Sequence, residues 1–382
     1  GGAHVFEHEP VALIPIALNE SVKDQSDEFT ARCRHCGYQS IGAIRPMRVS
    51  PEAAGSVVCY DLVREVPPFD KEEDEDDWWS DKDDNSAGSV ICFSDRRQDA
   101  AFFAPSFERT YGNITRRQAI HEAIKTLDTG EGVSPSAIVN WIQSADNDKY
   151  SSMLSKDRAM TAEAWVLDEL AAEDSRNSLE GLGVIKVTPV LFLQKLNEPK
   201  VEGRIEEVVG RLVDDGITWL TSDDFKLLLR VSLETLRESN AIQVPQGVDV
   251  LRRNYAKKGR MVVLNKDKGS SSKDEIQFAG LTGSTENKRS LFIRKYASKN
   301  YGVIVSREES TTLLQALFEF LGQYLGGLFR KKGYLAGSKE RFALNKDIWT
   351  FFDGCPDDEI YYCDTCGCES HYYTAGVCLT AK

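Results

Sequence analysis

The chain reads as an α+β protein in which helices predominate, and three observations predict this. Val90 to Phe93 is a short apolar run that passes through Ser94 and Asp95 into a segment of helical spacing. Between residues 131 and 250, apolar residues recur three and four apart over several segments. Ser310 to Leu328 is a strongly apolar helix, followed by Phe342-Ala343-Leu344 and Ile348 to Phe352, which read as two short strands. At 382 residues the chain can build two or three domains with cores of their own. Hydrophobic residues make up 41% and charged residues 28%, which excludes both a wholly disordered chain and a membrane bundle.

Residues 1–69 form a linker segment with a cysteine knuckle. Its motif is Cys33-Arg34-His35-Cys36-Gly37. Two thiolates two residues apart, with glycine next, can wrap a tetrahedral ion while the backbone turns, so Cys33 and Cys36 read as half of a zinc site. Candidates for the other half are Cys59 with Cys92, His4 with His8, or residues outside this chain. The plain alternative is a reduced pair that only makes a turn. Ser50, with Pro51 behind it, caps a helix expected to run to about Val66, where Pro67-Pro68 stops it. Residues 70–85 are a low-complexity acidic run whose charges repel one another, so a solvated linker is expected. A docking strip for a partner protein, anchored by Trp78 and Trp79, is the functional alternative.

Residues 86–130 open on the apolar run. Val90–Phe93 has the unbroken pattern of a strand buried on both faces. Ser94 and Asp95 supply capping chemistry, and Ala100, Ala101, Ala104 and Phe107 then fall at helical spacing. The stretch Ile91-Cys92-Phe93-Ser94-Asp95-Arg96-Arg97-Gln98-Asp99-Ala100-Ala101-Phe102-Phe103-Ala104-Pro105 resembles one found in large superfamily 2 DNA helicases with a zinc-containing C-terminal region. These include helicases of bacterial anti-phage systems such as DISARM. The family pattern has serine where this chain has Arg96. The resemblance implies that this stretch opens a second RecA-like lobe, with Ser94, Asp95, Arg97, Gln98 and Asp99 as helicase-motif-like residues.

Residues 131–250 read as a helical insertion. Ala137–Ser144, Thr161–Ala172, Ser178–Gly183, Glu202–Asp214 and Asp223–Glu238 are its expected helices, with a short strand near Val184 to Thr188. No acid pair, histidine or nucleophile stands out there. Residues 251–352 are a basic, winged-helix-like region. Arg252, Arg253, Lys257, Lys258, Arg260, Lys288, Arg289, Arg294, Lys295, Arg330, Lys331 and Lys332 are the candidate nucleic-acid contacts, interleaved with tyrosines on which bases could stack. The helix from Ser310, capped by Ser310 or Thr311, would be core, and the two strands after it the wing. A solvated basic face would have the same composition.

Residues 353–382 carry Cys363-Asp364-Thr365-Cys366-Gly367-Cys368, then His371 and Cys378. Cys363, Cys366 and Cys378 supply three ligands of a zinc-ribbon-like end. Cys368, His371 or a residue beyond Lys382 are candidates for the fourth. A closed four-ligand site is structural and activates no water.

The net charge of −13 is unevenly divided. Residues 251–346 hold 20 Lys and Arg against 8 Asp and Glu, a net of +12, so the remainder carries −25. Nine cysteines, several in C-x-x-C spacing, favour metal over disulfides, so a cytoplasmic setting is expected. No apolar run spans a bilayer, and no membrane association is expected. There is no Gly-x-x-x-x-Gly-Lys-Ser/Thr loop for nucleotide phosphates. In the helicases that the chain resembles, ATP and Mg2+ bind motifs outside this region. The resemblance therefore implies a non-catalytic central segment that guides DNA within a longer ATP-dependent helicase, with Zn2+ as its own cofactor and possible partner subunits of a defence complex. The alternative is a zinc-stabilised protein-interaction scaffold that does not bind nucleic acid.

Overall fold

The computed structural model describes residues 17–18, 29–32, 39–44, 97–144, 150, 158–171, 178–245, 259–265, 274–279, 281–282, 285–326, 335–337, 340–354, 361–362, 369–370 and 372–378. The chain divides into two compact units, one of Gly1–Arg116 with Asp148–Met153 and one of Arg117–Asn147 with Leu154–Lys382. In the first, β1 (Ala17–Leu18), β2 (Phe29–Arg32) and β3 (Gln39–Ile44) pair antiparallel in that order. Helix α1 (Arg97–Leu127) starts where the change to helical spacing places it. The strand expected at Val90–Phe93, the helix expected from Ser50 and the acidic run lie outside the described residues.

The second unit is predominantly helical, with small sheets, as the sequence predicts. After α1 come α2 (Pro135–Gln143) and α3 (Arg158–Ala171), which pack on each other. Ser134 caps α2 by accepting from the Ala137 N–H, with Pro135 at the first helical position. Strand β4 (Ile185–Thr188) and helices α4 (Val190–Leu196), α5 (Pro199–Asp214) and α6 (Ser222–Glu238) follow. Residues 178–183, expected as helix, form a turn; Gly183 there has φ +70° and helps to end it. Strands β5 (Met261–Val263) and β6 (Glu275–Gln277) pair in parallel, and the small hairpin β7 (Leu281–Thr282) and β8 (Thr285–Glu286) precedes α7 (Lys288–Tyr301). Helix α8 (Arg307–Phe320) continues as a π turn over Leu321–Leu325. Strands β9 (Leu335–Gly337) and β10 (Arg341–Leu344) then complete a sheet of order β6-β5-β10-β9.

The expected wing is rearranged. Phe342–Leu344 pairs with β9 and β5, whereas β11 (Thr350–Asp353) pairs with β4 in a separate two-stranded sheet. Between them Asn345 accepts from the Asp347 N–H and caps a 3-10 turn, Lys346–Ile348, which takes the chain out of the first sheet. Trp349 and Phe351 behind that turn are fully buried, so β11 is core. Gly132 lies against this strand with φ +77°, and a Cβ there would come within 2.5 Å of Thr350. The helix expected to begin at Ser310 starts a turn earlier. Ser306 and Glu309 form a reciprocal capping box, and the Ser310 hydroxyl is buried against Ser290.

Helix α6 organises the unit because Val231 to Arg237 are buried on every side, while its first half keeps one side towards solvent. Phe225, Leu228, Leu229, Val231, Leu233 and Leu236 surround its axis. Its polar residues must therefore find partners inside the protein. Arg237 donates to Glu234 at 2.8 Å, to Glu180 at 2.8 Å and to the Leu170 carbonyl at 3.0 Å. Burial opposes the Arg237 charge, but the two carboxylates outweigh burial and raise its pKa above the ordinary range. Burial raises the Glu234 carboxyl, with Arg237 opposing. Among the described residues no helix is long and apolar enough to cross a membrane.

Removing the guanidinium strands two buried acids. Arg237→Met is expected to cost about 3–5 kcal/mol in denaturant unfolding at neutral pH. Without Arg237 the folded-state pKa of Glu234 rises further above its unfolded value. A raised carboxyl favours the folded state below its unfolded pKa and loses that support as pH rises. The deficit of the variant should therefore shrink as pH falls towards the carboxylate range, and unfolding curves taken across that range check it.

Candidate functional site

The basic region of the sequence becomes, in the described residues, chiefly helix α7. Asn287 caps it by accepting from the Arg289 N–H, and its amide donates to the carbonyls of Gln277 and Phe278. The helix is thereby tied to the end of β6. Gly302, in the left-handed conformation, ends it.

The cations of this helix separate by burial. Lys288 and Lys295 are exposed, as is Lys299. At positions i, i+7 and i+11 these three lysines fall in one stripe, about 16 Å long at helical rise. Arg294 is half-buried and its Nε donates to the Val305 carbonyl at 3.0 Å. Arg289 is only 5% exposed. Its guanidinium donates to the Phe278 and Gln277 carbonyls and to the Thr235 hydroxyl, and lies 4.7 Å over the Phe278 ring. Burial pulls its pKa down to about 10. Arg289 is an internal clamp joining α7, α6 and β6, and its charge faces no solvent. Arg260 is half-buried ahead of β5, where its backbone N–H donates to the Asn240 carbonyl. Arg252, Arg253, Lys257, Lys258, Arg330, Lys331 and Lys332 lie outside the described residues.

The tyrosines divide in the same way. Tyr296 is buried, and its hydroxyl donates to Asp224 at 2.5 Å, so it is part of the core. Tyr301 also donates to the Asp224 carboxylate, at 2.7 and 2.8 Å, yet remains 42% exposed. Burial and the bond to Asp224 raise the pKa of both phenols. Asp224 meanwhile closes a capping box with Thr221 at the start of α6. Sequence reasoning missed this aspartate, although the Thr-x-x-Asp spacing ahead of an apolar run was the signal for it.

The C-terminal tail is held against the same helices. The Arg230 guanidinium lies 4.0 Å over the Tyr372 ring, and Lys299 Nζ donates to the Gly376 carbonyl at 2.6 Å. Thr374 and Val377 are buried, and the Thr374 hydroxyl donates to the Val377 carbonyl. Nothing in the composition of the tail foretold these contacts.

Both cysteine motifs occupy equivalent places between paired strands. Arg32 of β2 stands opposite Gln39 of β3, and residues 33–38 between them hold Cys33-x-x-Cys36-Gly37. Tyr362 of β12 (Tyr361–Tyr362) stands opposite Glu369 of β13 (Glu369–Ser370), and residues 363–368 hold Cys363-x-x-Cys366-Gly367. In each case the first cysteine directly follows a strand and six residues separate the pairing partners. Cys33, Cys36, Cys363 and Cys366 themselves lie outside the described residues, and Cys378 is half-buried beside the anchored tail. Among the described residues alone, no group of three metal-binding side chains gathers.

Arg97, Gln98 and Asp99 form the first turn of α1, while Ser94 and Asp95 lie outside the described residues. Comparison with known proteins adds no relative: no protein-family model, curated protein or solved structure matches the chain.

Proposed function

We propose that this chain is a non-catalytic segment of an ATP-driven DNA helicase or translocase, which guides DNA over a basic surface and is stabilised by structural zinc. The observation that carries the DNA reading is the row of exposed lysines on α7, Lys288, Lys295 and Lys299, in the part of the chain with a net charge of +12. Cations spaced along one stripe neutralise successive phosphates and release their counterions. The helicase assignment rests on the residue pattern from Ile91 to Pro105. The zinc assignment rests on two C-x-x-C-G motifs, each between antiparallel strands. ATP and Mg2+ belong to the parts of the longer protein that carry nucleotide motifs, and a defence complex would supply its partner subunits.

Zinc would hold the ends of the chain without taking part in any reaction. The purified protein is expected to contain zinc by elemental analysis, and Cys363→Ser or Cys366→Ser to lose the C-terminal ion. Retention of all metal by both variants would overturn this part of the proposal.

For DNA, affinity should fall steeply with salt, by roughly 0.7–0.9 log units per log unit of salt for each phosphate neutralised. Reversing Arg252, Arg253, Lys257 and Lys258 to glutamate together is expected to weaken binding at least tenfold. Unchanged affinity would favour the scaffold reading. DNA-stimulated ATP turnover by this chain alone would contradict its non-catalytic assignment.

A further inference from the structure

The turn between α7 and α8 carries an exposed apolar tip that the rest of the fold does not need. Ile304 is 88% exposed, and Val303 beside it is also exposed. Large apolar side chains reach such exposure readily on loose loops, but this loop is tied down on both sides. The Gly302 and Val303 N–H groups donate to the Ser298 and Ala297 carbonyls. Val305 is buried, and its carbonyl accepts from Arg294. Ser306 then begins the capping box of α8. Ile304 is therefore held out into solvent by a rigid turn.

Three residues before it stands Tyr301, whose orientation is fixed from behind. Its hydroxyl is held by both oxygens of Asp224, and its ring lies 5.6 Å from Trp219. A half-exposed ring fixed at its polar end loses little freedom when something stacks on it. Arg294 lies two turns back on the same side of α7, whereas Lys299, two residues before Tyr301, lies on the other side of the helix. Glu308 and Glu309 follow at the start of α8, and Glu309 is taken up by the Ser306 N–H. They place the favourable path for phosphates on the α7 side of the turn.

We propose that Tyr301 and Ile304 form a stacking platform that receives an unpaired base of single-stranded DNA, with Arg294 beside its phosphates. This deepens the DNA-guiding reading above and rests on it. Every base presents a flat π face, so a platform of this kind holds single strands with little regard to sequence. It also discriminates against duplex, whose bases are already stacked. An aliphatic wedge beside the ring would keep the next base from restacking.

The test uses the full chain with its zinc and two probes. One is a fluorescein-labelled oligothymidine and the other a strand carrying 2-aminopurine, whose fluorescence changes on stacking. Ile304→Gln and Tyr301→Leu are each expected to weaken single-strand binding about tenfold. Both should also diminish the 2-aminopurine response, leaving duplex affinity and the salt slope unchanged. Tyr301→Phe keeps the ring and should retain most of the response. Ile304→Gln alters a side chain that is almost wholly in solvent, so it tests the platform even if Tyr301→Leu is unstable. Unchanged affinity and 2-aminopurine response in Ile304→Gln, with wild-type binding intact, would overturn the platform and leave the DNA-guiding reading standing. Absence of wild-type binding to either form of DNA would overturn both. If Ile304→Gln instead abolished self-association in sedimentation without affecting DNA, the tip would be a protein contact and the proposal would fall.

Discussion

The constraint on which the second unit depends is the burial of α6, complete on every side from Val231 to Arg237. A helix covered all round must satisfy its polar groups internally, and those of α6 reach several different neighbours. Asp224 takes the hydroxyls of Tyr296 and Tyr301 from α7. Arg230 stacks on Tyr372 of the tail. The Thr235 hydroxyl accepts from Arg289. Arg237 joins the Glu180 turn and the end of α3. Apolar packing alone would permit these elements to slide, whereas directed bonds to buried charges fix their positions.

The surface follows from that interior. Arg289 places its charge inside, on two carbonyls, a hydroxyl and the Phe278 ring, and so fixes the first turn of α7. With that turn fixed, the lysine stripe is displayed outward. At the far end of the helix Asp224 fixes Tyr301. A cationic row and, on another side of the same helix, a half-exposed ring are thus held by one rigid element. Rigidity of this kind is what a surface that tracks a flexible strand requires. Chains of aromatic contact support it from below: Phe278 meets Phe318, and Phe318 meets Phe342, joining the sheet to α8.

Much of the helical framework was legible from the sequence, since periodicity reports which face of a helix is buried. Helices α2, α3, α5 and α6 fall within a few residues of the periodic segments, and β4 lies where Val184 to Thr188 indicated it. Less legible was what long-range packing decides. Phe342–Leu344 and Thr350–Asp353 have the same strand-like composition, and only the Asn345-capped turn sends them to different sheets. Arg289 and Lys288 are adjacent and equally basic in sequence, yet one is internal and the other exposed. Composition registers charge, and burial depends on the partners that the fold brings to it. Tyr296 and Tyr301 differ for the same reason. The capping signals Thr221-x-x-Asp224 and Ser306-x-x-Glu309 were present locally and mark both helix starts.

The claim that interior and surface cations of α7 have separate tasks is tested most directly by the double variant Lys288→Ala, Lys295→Ala. Its melting temperature and the salt dependence of its single-strand DNA affinity would be measured beside those of Arg289→Met. The account predicts that the lysine variant melts with the wild type while its salt slope falls by about 0.7 for each phosphate it no longer neutralises. It predicts that Arg289→Met melts several degrees lower. A lysine variant with an unchanged slope would contradict the account, because the row on which the DNA reading stands would then carry no phosphate.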